Sequence, residues 1–351
     1  MEYNFFAIFA LLFMVLSSMF SQLKDTKYIK LMFLLVCMPV FIHSQSGDDG
    51  YDFLRFPTSS RVGALGGYSV SLVEADPALA FHNPALLGGE TDGRLSVRYM
   101  NYIADINVGS AVFTKSFRER SAYGIGATYI NYGSFKEMTI DNEQLGAFSV
   151  QDIGIHAFYS HDLSAFWRGG LSMKALYSTI ADYYSFGLAV DAGLSYFNPE
   201  SDFSVGIALK NIGAQLKSYY DERQRIPWDL QLGVTKRVAH APVRFSVTAM
   251  YLNQWKFKTI DLTPAAKEDS FLETTLKHLV FGIEFLPSDN LWLGVGLNPK
   301  TRMDMSIVSG NGLGGFTIGG GVKVSRFDIG ASVARYHPSA TSIMVGLTMK
   351  L

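Results

Sequence analysis

The chain has 351 residues, with 30 lysines and arginines against 31 aspartates and glutamates and a formal net charge of −1. That balance gives no electrostatic reason to expect a nucleic-acid partner, because such proteins carry a basic excess or stripe. Aromatic residues make up 14% of the sequence and charged residues only 17%, with 33 glycines and one cysteine. The apolar content excludes intrinsic disorder, and the single cysteine excludes a disulfide scaffold. The composition favours many half-buried strands, whose second face meets either water or lipid.

Residues 1–44 are predicted to be a secretory signal peptide. A basic stretch precedes an apolar run over 31–42, and the small residue Ser44 follows at the expected cleavage point. An earlier apolar stretch could be a retained membrane anchor. We prefer an over-extended start over residues 1–18, because translation from Met19 gives a conventional signal peptide by itself. Cys37 lies in the apolar run and is expected to be removed with it.

Residues 93–351 are predicted to form strands, because apolar side chains recur at every second position. Leu291, Leu293 and Val295, for example, share one face, with tryptophan and glycine between them. No helical period is visible in this region. The fourteen predicted strands are 93–102, 106–117, 121–132, 146–160, 168–179, 183–196, 203–210, 227–237, 243–253, 277–286, 290–298, 316–323, 326–334 and 342–351. A soluble sandwich shows the same alternation with its apolar face turned inward, so alternation alone leaves both folds open.

The connections and the aromatic residues favour a membrane barrel. Most connections alternate in length, with short turns such as 118–120 and longer loops such as 133–145, and outer-membrane barrels are built in this way. Aromatic residues are concentrated at the ends of the predicted strands, where girdles of rings meet lipid headgroups. We therefore predict an all-β fold, a 14-stranded antiparallel transmembrane β-barrel in the bacterial outer membrane.

Residues 45–92 do not follow the strand pattern and are predicted to form a hatch in the lumen. Glycines in the run 61–68 and prolines at Pro77 and Pro84 indicate tight turns of the backbone instead of a long helix. A barrel of about 14 strands has a lumen too wide for its own side chains to fill. A segment that precedes the first strand is a natural plug for it.

Three charged residues provide a test of the predicted register. Asp191, Glu284 and Lys210 fall on the small and polar face of their strands, so we expect them to point into the lumen. There they could pair with Arg55 or Arg61 of the hatch. A cation that faced the middle of the bilayer instead would cost roughly 2–4 kcal/mol.

No catalytic or cofactor-binding constellation stands out in the sequence. His156 and His161 lie close together near a strand end, but a metal site would need further ligands from neighbouring strands. The sequence also lacks the Gly-x-Ser-x-Gly turn that presents a catalytic serine. We therefore predict a protein without enzymatic activity, cofactor or metal.

The hatch region carries a resemblance to a known family. The run 61–67, followed by Asp76, Phe81 and the triplet 83–85, resembles the amino-terminal hatch of the FadL-like fatty-acid-transporter barrels. Such a resemblance implies the same barrel with the hatch in its lumen. The residues of the hatch motif are Arg61, Gly66, Gly67, Asp76, Asn83, Pro84 and Ala85.

Within that superfamily, further residues resemble the PorQ-like subfamily, an outer-membrane component of the type IX secretion system of Bacteroidota. They are the runs 53–61, 83–87, 132–135 and 146–149 together with Asp152. The chain departs from many barrel proteins because it ends in Leu351 and not in an aromatic residue. The subfamily resemblance implies a non-enzymatic anchor or scaffold of the cell-surface attachment complex. The implied partners are outer-membrane lipid or lipopolysaccharide, a sortase-like protease, a second FadL-like barrel and a surface protein that reads lipopolysaccharide.

The loop 254–276 is a possible partner-facing surface. It carries Trp255, Phe257 and Phe271 among mixed charges, and aromatic anchors with a polar rim suit a protein interface. Packing of the same rings on the barrel rim is the alternative. The rival function for the whole chain is a FadL-like channel for the uptake of long-chain fatty acids or other hydrophobic compounds.

Overall fold

The computed structural model describes residues 50–138, 144–220, 223–255, 257, 270–309, 313–337 and 340–351. These residues form fourteen antiparallel strands that close into a barrel. Each strand pairs with its neighbours in sequence, and the last strand returns to the first, with Lys350 opposite Arg94. The structure confirms the predicted 14-stranded antiparallel barrel. The predicted signal peptide lies outside the described residues.

The strand bounds differ from the predicted ones mainly at the ends. The strands are β1 (Arg94–Asn101), β2 (Asn107–Phe117), β3 (Ser121–Met138), β4 (Gln144–Asp162), β5 (Trp167–Ile180), β6 (Tyr183–Asn198), β7 (Phe203–Lys217), β8 (Asp229–Arg237), β9 (Val243–Ala249), β10 (Leu279–Ser288), β11 (Leu291–Leu297), β12 (Phe316–Val324), β13 (Phe327–His337) and β14 (Ala340–Lys350). β3, β4 and β7 extend beyond their predicted ends into residues that lack the apolar alternation. Pairing continues there because backbone hydrogen bonds need no apolar face.

Short helices complete the described part of the chain. They are the α-helices α1 (Ser60–Ala64), α2 (Phe271–Lys277) and α3 (Pro299–Ser309) and the 3-10 helices Asp52–Arg55, Pro77–Phe81, Pro84–Leu86 and Gly89–Thr91. α2 and α3 correct the prediction of strands and loops alone after residue 92, since helices of two or three turns are too short to show a period. None of the described helices is long and apolar enough to cross a membrane.

The two rims of the barrel differ. One rim carries the short connections, such as the tight turn between β10 and β11, and also the end of β14; we call it the turn end. The opposite rim carries the longer connections, such as the one between β9 and β10 that contains α2; we call it the loop end. In outer-membrane barrels the turn end faces the periplasm.

The outer surface of the barrel is apolar. Leu293 and Val295 are about half exposed on the outside, whereas Trp292 between them is buried on the inside. Ile283 and Phe285 are exposed in the same way on β10. A closed barrel with a continuous apolar exterior leaves no unpaired edge and suits hydrocarbon as its solvent. These features place the chain in the bacterial outer membrane.

Candidate functional site

The hatch, described from residue 50 to residue 92, fills the lumen. Its side chains form their own buried cluster, made of Val62, Leu65, Leu72, Leu79 and Leu86. A second cluster joins the hatch to the wall, with Phe81 of the hatch against Val112 of β2 and Phe158 of β4. Each buried aliphatic side chain of this kind contributes about 1.5–3 kcal/mol. The plug is therefore packed like the core of a small domain.

Arg61 anchors the hatch to the wall through a buried ion network. Its Nε donates to Oε1 of Glu284 on β10 over 2.5 Å, and Arg244 of β9 donates to the other carboxylate oxygen over 2.7 Å. Both guanidinium groups also reach Glu74, another hatch residue. Two cations and two anions thus compensate one another inside the lumen. The expected inward position of Glu284 and its pairing with Arg61 are confirmed.

Asp76 is a second anchor of the hatch. It caps the 3-10 helix Pro77–Phe81 by accepting from the Ala78 amide, and it accepts from Ser59 over 2.7 Å and from Arg98 of β1 over 2.9 Å. Burial alone would raise the pKa of the Asp76 carboxyl, but the Arg98 charge and these hydrogen bonds outweigh it and hold the pKa below its ordinary value. Asp76 therefore stays ionised and paired with the wall.

The two glycines of the hatch motif occupy backbone conformations that side chains rarely adopt. Gly66 and Gly67 have φ angles of 91° and 87°, in the region that favours glycine. A Cβ on Gly66 would also lie 2.4 Å from the side chain of Val280 on β10. The Gly66 amide donates to the Thr317 hydroxyl of β12 over 2.9 Å. The turn thus needs glycine for its shape and for its close approach to the wall.

The Asn-Pro-Ala triplet docks on two glycines of the wall, Gly170 of β5 and Gly193 of β6. The Asn83 side chain accepts from the Ala85 backbone amide over 3.0 Å and donates to the Val70 carbonyl over 2.8 Å. It therefore caps the 3-10 helix Pro84–Leu86 and links this helix to an earlier part of the hatch. Pro84 and Ala85 lie against Gly170 of β5, where a Cβ would meet backbone atoms at 2.3 Å. Only glycine leaves room on β5 for this part of the hatch.

A buried apolar cluster joins the start of the hatch to the inner wall in the loop half of the lumen. Tyr51 and Phe53 of the hatch pack against Met100, Ile130 and Leu176 on the inner wall. We call this set, which also includes Val108, Ala189, Ile226 and Met344, the upper apolar cluster. The interior of a water-filled barrel is polar, whereas this part of the lumen is closed by packed apolar side chains.

The barrel wall is interrupted between β7 and β8. Lys210 pairs with Asp229 at the start of β8, and beyond this point the described residues of β7 pair with β6 alone. A β-bulge marks the break, since Asn211 has a φ of 60° and the register with β6 shifts there. The paired residues of β6, Leu188 and Val190, are exposed on the outer face. The interruption therefore lies at the depth of lipid.

Two side-chain hydrogen bonds close this break. Asn211 donates from its amide group to the Pro227 carbonyl over 2.9 Å, and Gln215 accepts from the Gln224 amide over 2.7 Å. We call residues 211–217 together with 223–228 the seam. Ile226 belongs to both the seam and the upper apolar cluster. The seam thus lies between the upper apolar cluster and the bilayer, and the described residues form no backbone ladder across it.

Charged and polar side chains inside the barrel pair with one another next to the seam. Lys174 of β5 contacts Asp191 of β6 at 2.7 Å and donates to the Asn211 side chain over 2.6 Å. Asp191 and Lys210 are buried inside the barrel, as the sequence predicts. His156 is buried against Phe81, and no group of three or more potential metal ligands occurs in the described residues.

The predicted partner-facing residues lie close together at the loop end. Trp255 stacks on His278 at 4.9 Å, and Phe257 packs against His278 and Tyr251. Phe271 of α2 is 72% exposed at the loop end. Trp255 is also exposed, and its ring contacts that of Phe271 with the centroids 5.8 Å apart. Trp255 and Phe271 thus form one exposed aromatic surface, which stays a predicted partner-facing site.

Two cavities open at the turn end on either side of hatch residues 73–75. One has a volume of about 360 Å³ and is lined by Glu90, Arg168 and Phe166, among others. The other has a volume of about 270 Å³ and is lined by Arg94, Lys323 and Asp289, among others. Their charged walls suit water and ions, in contrast to the upper apolar cluster.

Comparisons with known proteins identify the fold. No protein-family model and no curated protein sequence matches the chain. The toluene transporter TbuX of Ralstonia pickettii aligns with a TM-score of 0.55 and 12% identity over 85% of this chain and 100% of that chain. The CymD monoaromatic hydrocarbon channel aligns with a TM-score of 0.52 and 12% identity over 84% of this chain and 97% of that chain. The deltaS2S3 mutant of the TodX monoaromatic hydrocarbon channel aligns with a TM-score of 0.53 and 13% identity over 84% of this chain and 99% of that chain. The chain shares the fold of this transporter and these channels.

Proposed function

We propose that the chain is an outer-membrane channel for hydrophobic compounds, held shut by its hatch. The observation that carries the proposal is the seam, because it borders the upper apolar cluster on the inside and lipid on the outside. An apolar solute gains nothing from a water-filled route, but it is stabilised by apolar surroundings on both sides of the seam. The named activities of TbuX and CymD, toluene transport and a monoaromatic hydrocarbon channel, support the same class of solute.

A second candidate is an anchor of the type IX cell-surface attachment complex. The dense hatch and its ion network favour a barrel that stays closed, and Phe271 and Leu272 expose apolar surface at the loop end. The partners of this candidate are lipopolysaccharide, the sortase-like protease, the second FadL-like barrel and the surface protein that reads lipopolysaccharide. It requires no chemistry from the barrel and no opening of the seam.

Locking the seam distinguishes the two candidates. The variant Gln215→Cys/Gln224→Cys places one thiol on each side of the seam. In the native chain, Oε1 of Gln215 and the backbone nitrogen of Gln224 are 2.7 Å apart there. A short bifunctional thiol reagent would bridge them, and a reducible reagent makes the lock reversible. We expect bridged cells to lose uptake of radiolabelled toluene and of a long-chain fatty acid, and to regain it on reduction.

The matched control is Val205→Cys/Val234→Cys, on the same two strands where the ladder is intact. Bridging there should leave uptake unchanged. Uptake that survives the locked seam contradicts the channel proposal. If deletion of the gene abolishes surface attachment of secreted proteins while toluene and fatty-acid uptake persist, the scaffold candidate replaces it.

A further inference from the structure

The hairpin of β3 and β4 rises beyond the barrel wall at the loop end. The last pair between β3 and β2 is Asn131 with Asn107, and the last pair between β4 and β5 is Val150 with Ile180. Beyond these points, the ladder pairs of residues 132–138 and 144–149 are only with each other among the described residues. We call these two segments the free ribbon.

A β-bulge sets the direction of the free ribbon. Gly133 has a φ of 85°, its amide donates to the Asn131 side chain over 2.8 Å, and the register shifts between Asn131 and Ser134. One extra residue moves the following side chains to the opposite face. Phe135 therefore lies on the face that continues the lumen side, where it stacks on Phe148 at 5.5 Å.

The base of the free ribbon is fixed to the barrel. The Tyr132 hydroxyl donates to Asp152 of β4 over 2.7 Å, and Ser178 of β5 donates to the same carboxylate. The Ser149 carbonyl accepts from Ala181 in the turn between β5 and β6. The edge of β4 is thus partly occupied at its base, while no described residue pairs with the outer edge of β3 over 134–138.

The free edge of β3 has the chemistry of an acceptor for another strand. A two-stranded ribbon is marginally stable in water and gains from a third strand, and unpaired backbone N–H and C=O groups are a template for one. Phe135 and Leu145 remain 45% and 66% exposed on the ribbon. Exposed apolar side chains beside an unpaired edge favour an extended peptide over a flat lipid surface, since a lipid supplies no alternating donors and acceptors.

We propose that the outer edge of β3 over residues 134–138 binds an extended segment of a partner protein as an added strand. Main-chain hydrogen bonds would supply the affinity, and the Phe135 ring would select an apolar side chain at alternate positions of the partner. The proposal is independent of the channel, because it concerns residues above the bilayer that line neither the seam nor the upper apolar cluster.

Photo-crosslinking in cells tests the added strand. A benzoylphenylalanine is introduced at Ser134 in one variant and at Lys136 in another, and cross-linked peptides are sequenced by mass spectrometry. Because strand partners advance in step, we expect both variants to capture one segment of one partner, at positions two residues apart. A benzoylphenylalanine at Asp182, exposed in the turn between β5 and β6, should not capture that segment.

Three outcomes overturn the proposal: capture of a second copy of this chain, capture of lipopolysaccharide, or partner positions three to four residues apart, which indicate a helix. Thiol labelling gives an independent measurement. Lys136→Cys should react about ten-fold more slowly in intact cells than in the purified barrel, which corresponds to about 1.4 kcal/mol of protection. Asp182→Cys should react equally in both, and equal rates for Lys136→Cys would also contradict an added strand.

Discussion

Arg61 of the hatch and Glu284 of β10 form an ion pair of 2.5 Å although they are 223 residues apart in sequence. The Glu284 side chain is 1% exposed and holds Arg244 as well. Glu284→Gln would leave two buried guanidinium groups facing Glu74 alone. Removing one member of a buried pair costs about 3–5 kcal/mol, so we expect this variant to unfold at a markedly lower guanidinium concentration in detergent micelles.

The control for this substitution is Glu200→Gln, in the exposed turn between β6 and β7. It removes the same charge without disturbing the lumen and should leave the midpoint unchanged. An unchanged midpoint for Glu284→Gln would mean that the ion network does not hold the hatch.

His82 predicts a pH dependence of stability. It is buried in the hatch, where burial lowers its pKa to about 3 from an ordinary value of 6.5, and its Nε2 accepts from the Thr58 amide. The unfolded chain therefore binds a proton at a higher pH than the folded one. The contribution of His82 to stability is complete above about pH 6.5 and falls as the pH drops towards 3, by about 1.4 kcal/mol per pH unit.

The measurement is the free energy of unfolding from micelles between pH 7 and pH 4. His82→Gln should flatten the decline, because glutamine can accept the Thr58 hydrogen bond without taking up a proton. His240→Gln, in an exposed turn, should retain the decline of the native chain. If the free energy of unfolding falls as steeply with pH in His82→Gln as in the native chain, the titration of other groups causes the decline.

Gly206 of β7 predicts how the hatch can be loosened. A Cβ there would lie 1.9 Å from the Val70 carbonyl oxygen of the hatch, and backbone cannot move aside as a flexible side chain can. Overpacking of this kind costs about 1–3 kcal/mol. We expect Gly206→Ala to push the hatch from the wall and raise the ion conductance of single barrels in planar bilayers.

Gly109 of β2 offers a matched substitution, since the nearest atom to its added Cβ is 3.9 Å away. Gly109→Ala should conduct like the native barrel. If Gly206→Ala also conducts like the native barrel, the hatch adjusts without opening a path.

The sequence predicts the barrel and part of the lumen for a specific physical reason. Lipid on one side and the hatch on the other impose a period of two on residues such as Leu293, and the same period assigns Glu284 to the lumen. The pairing of Arg61 with Glu284 follows from their opposite charges and from the inward-facing position of Glu284 on β10. Arg98 lies on the buried, inward-facing side of β1. The same reasoning could have identified it as a partner for the hatch.

Other features depend on relationships that a single sequence does not reveal. The approach of Pro84 to Gly170 depends on how the hatch folds against the wall, and glycine is too frequent in the strands to mark one contact. The seam depends on where pairing between β7 and β8 stops. Asn211 carries a weak signal, because asparagine tolerates a left-handed backbone, but that signal does not distinguish a bulge from a turn.

Asn211 also allows the seam to be weakened without strain. Asn211→Gly tolerates the φ of 60° but loses the hydrogen bond to the Pro227 carbonyl and the contact with Lys174. One hydrogen bond contributes about 0.5–1.5 kcal/mol, so opening of the seam should become roughly two- to ten-fold more frequent. We expect faster uptake of radiolabelled toluene by cells that produce this variant at the native level.

Asn198→Gly provides the comparison, because the Asn198 side chain also accepts hydrogen bonds from nearby amides. It lies at the turn end of β6, whereas the residues of β6 that pair with the seam lie towards the loop end of that strand. Its uptake rate should equal that of the native chain. Combining Asn211→Gly with the bridged Gln215→Cys/Gln224→Cys pair should abolish the gain, since a covalent link closes the seam whatever its hydrogen bonds. A gain that persists in the bridged variant would show that the solute leaves the lumen by another route.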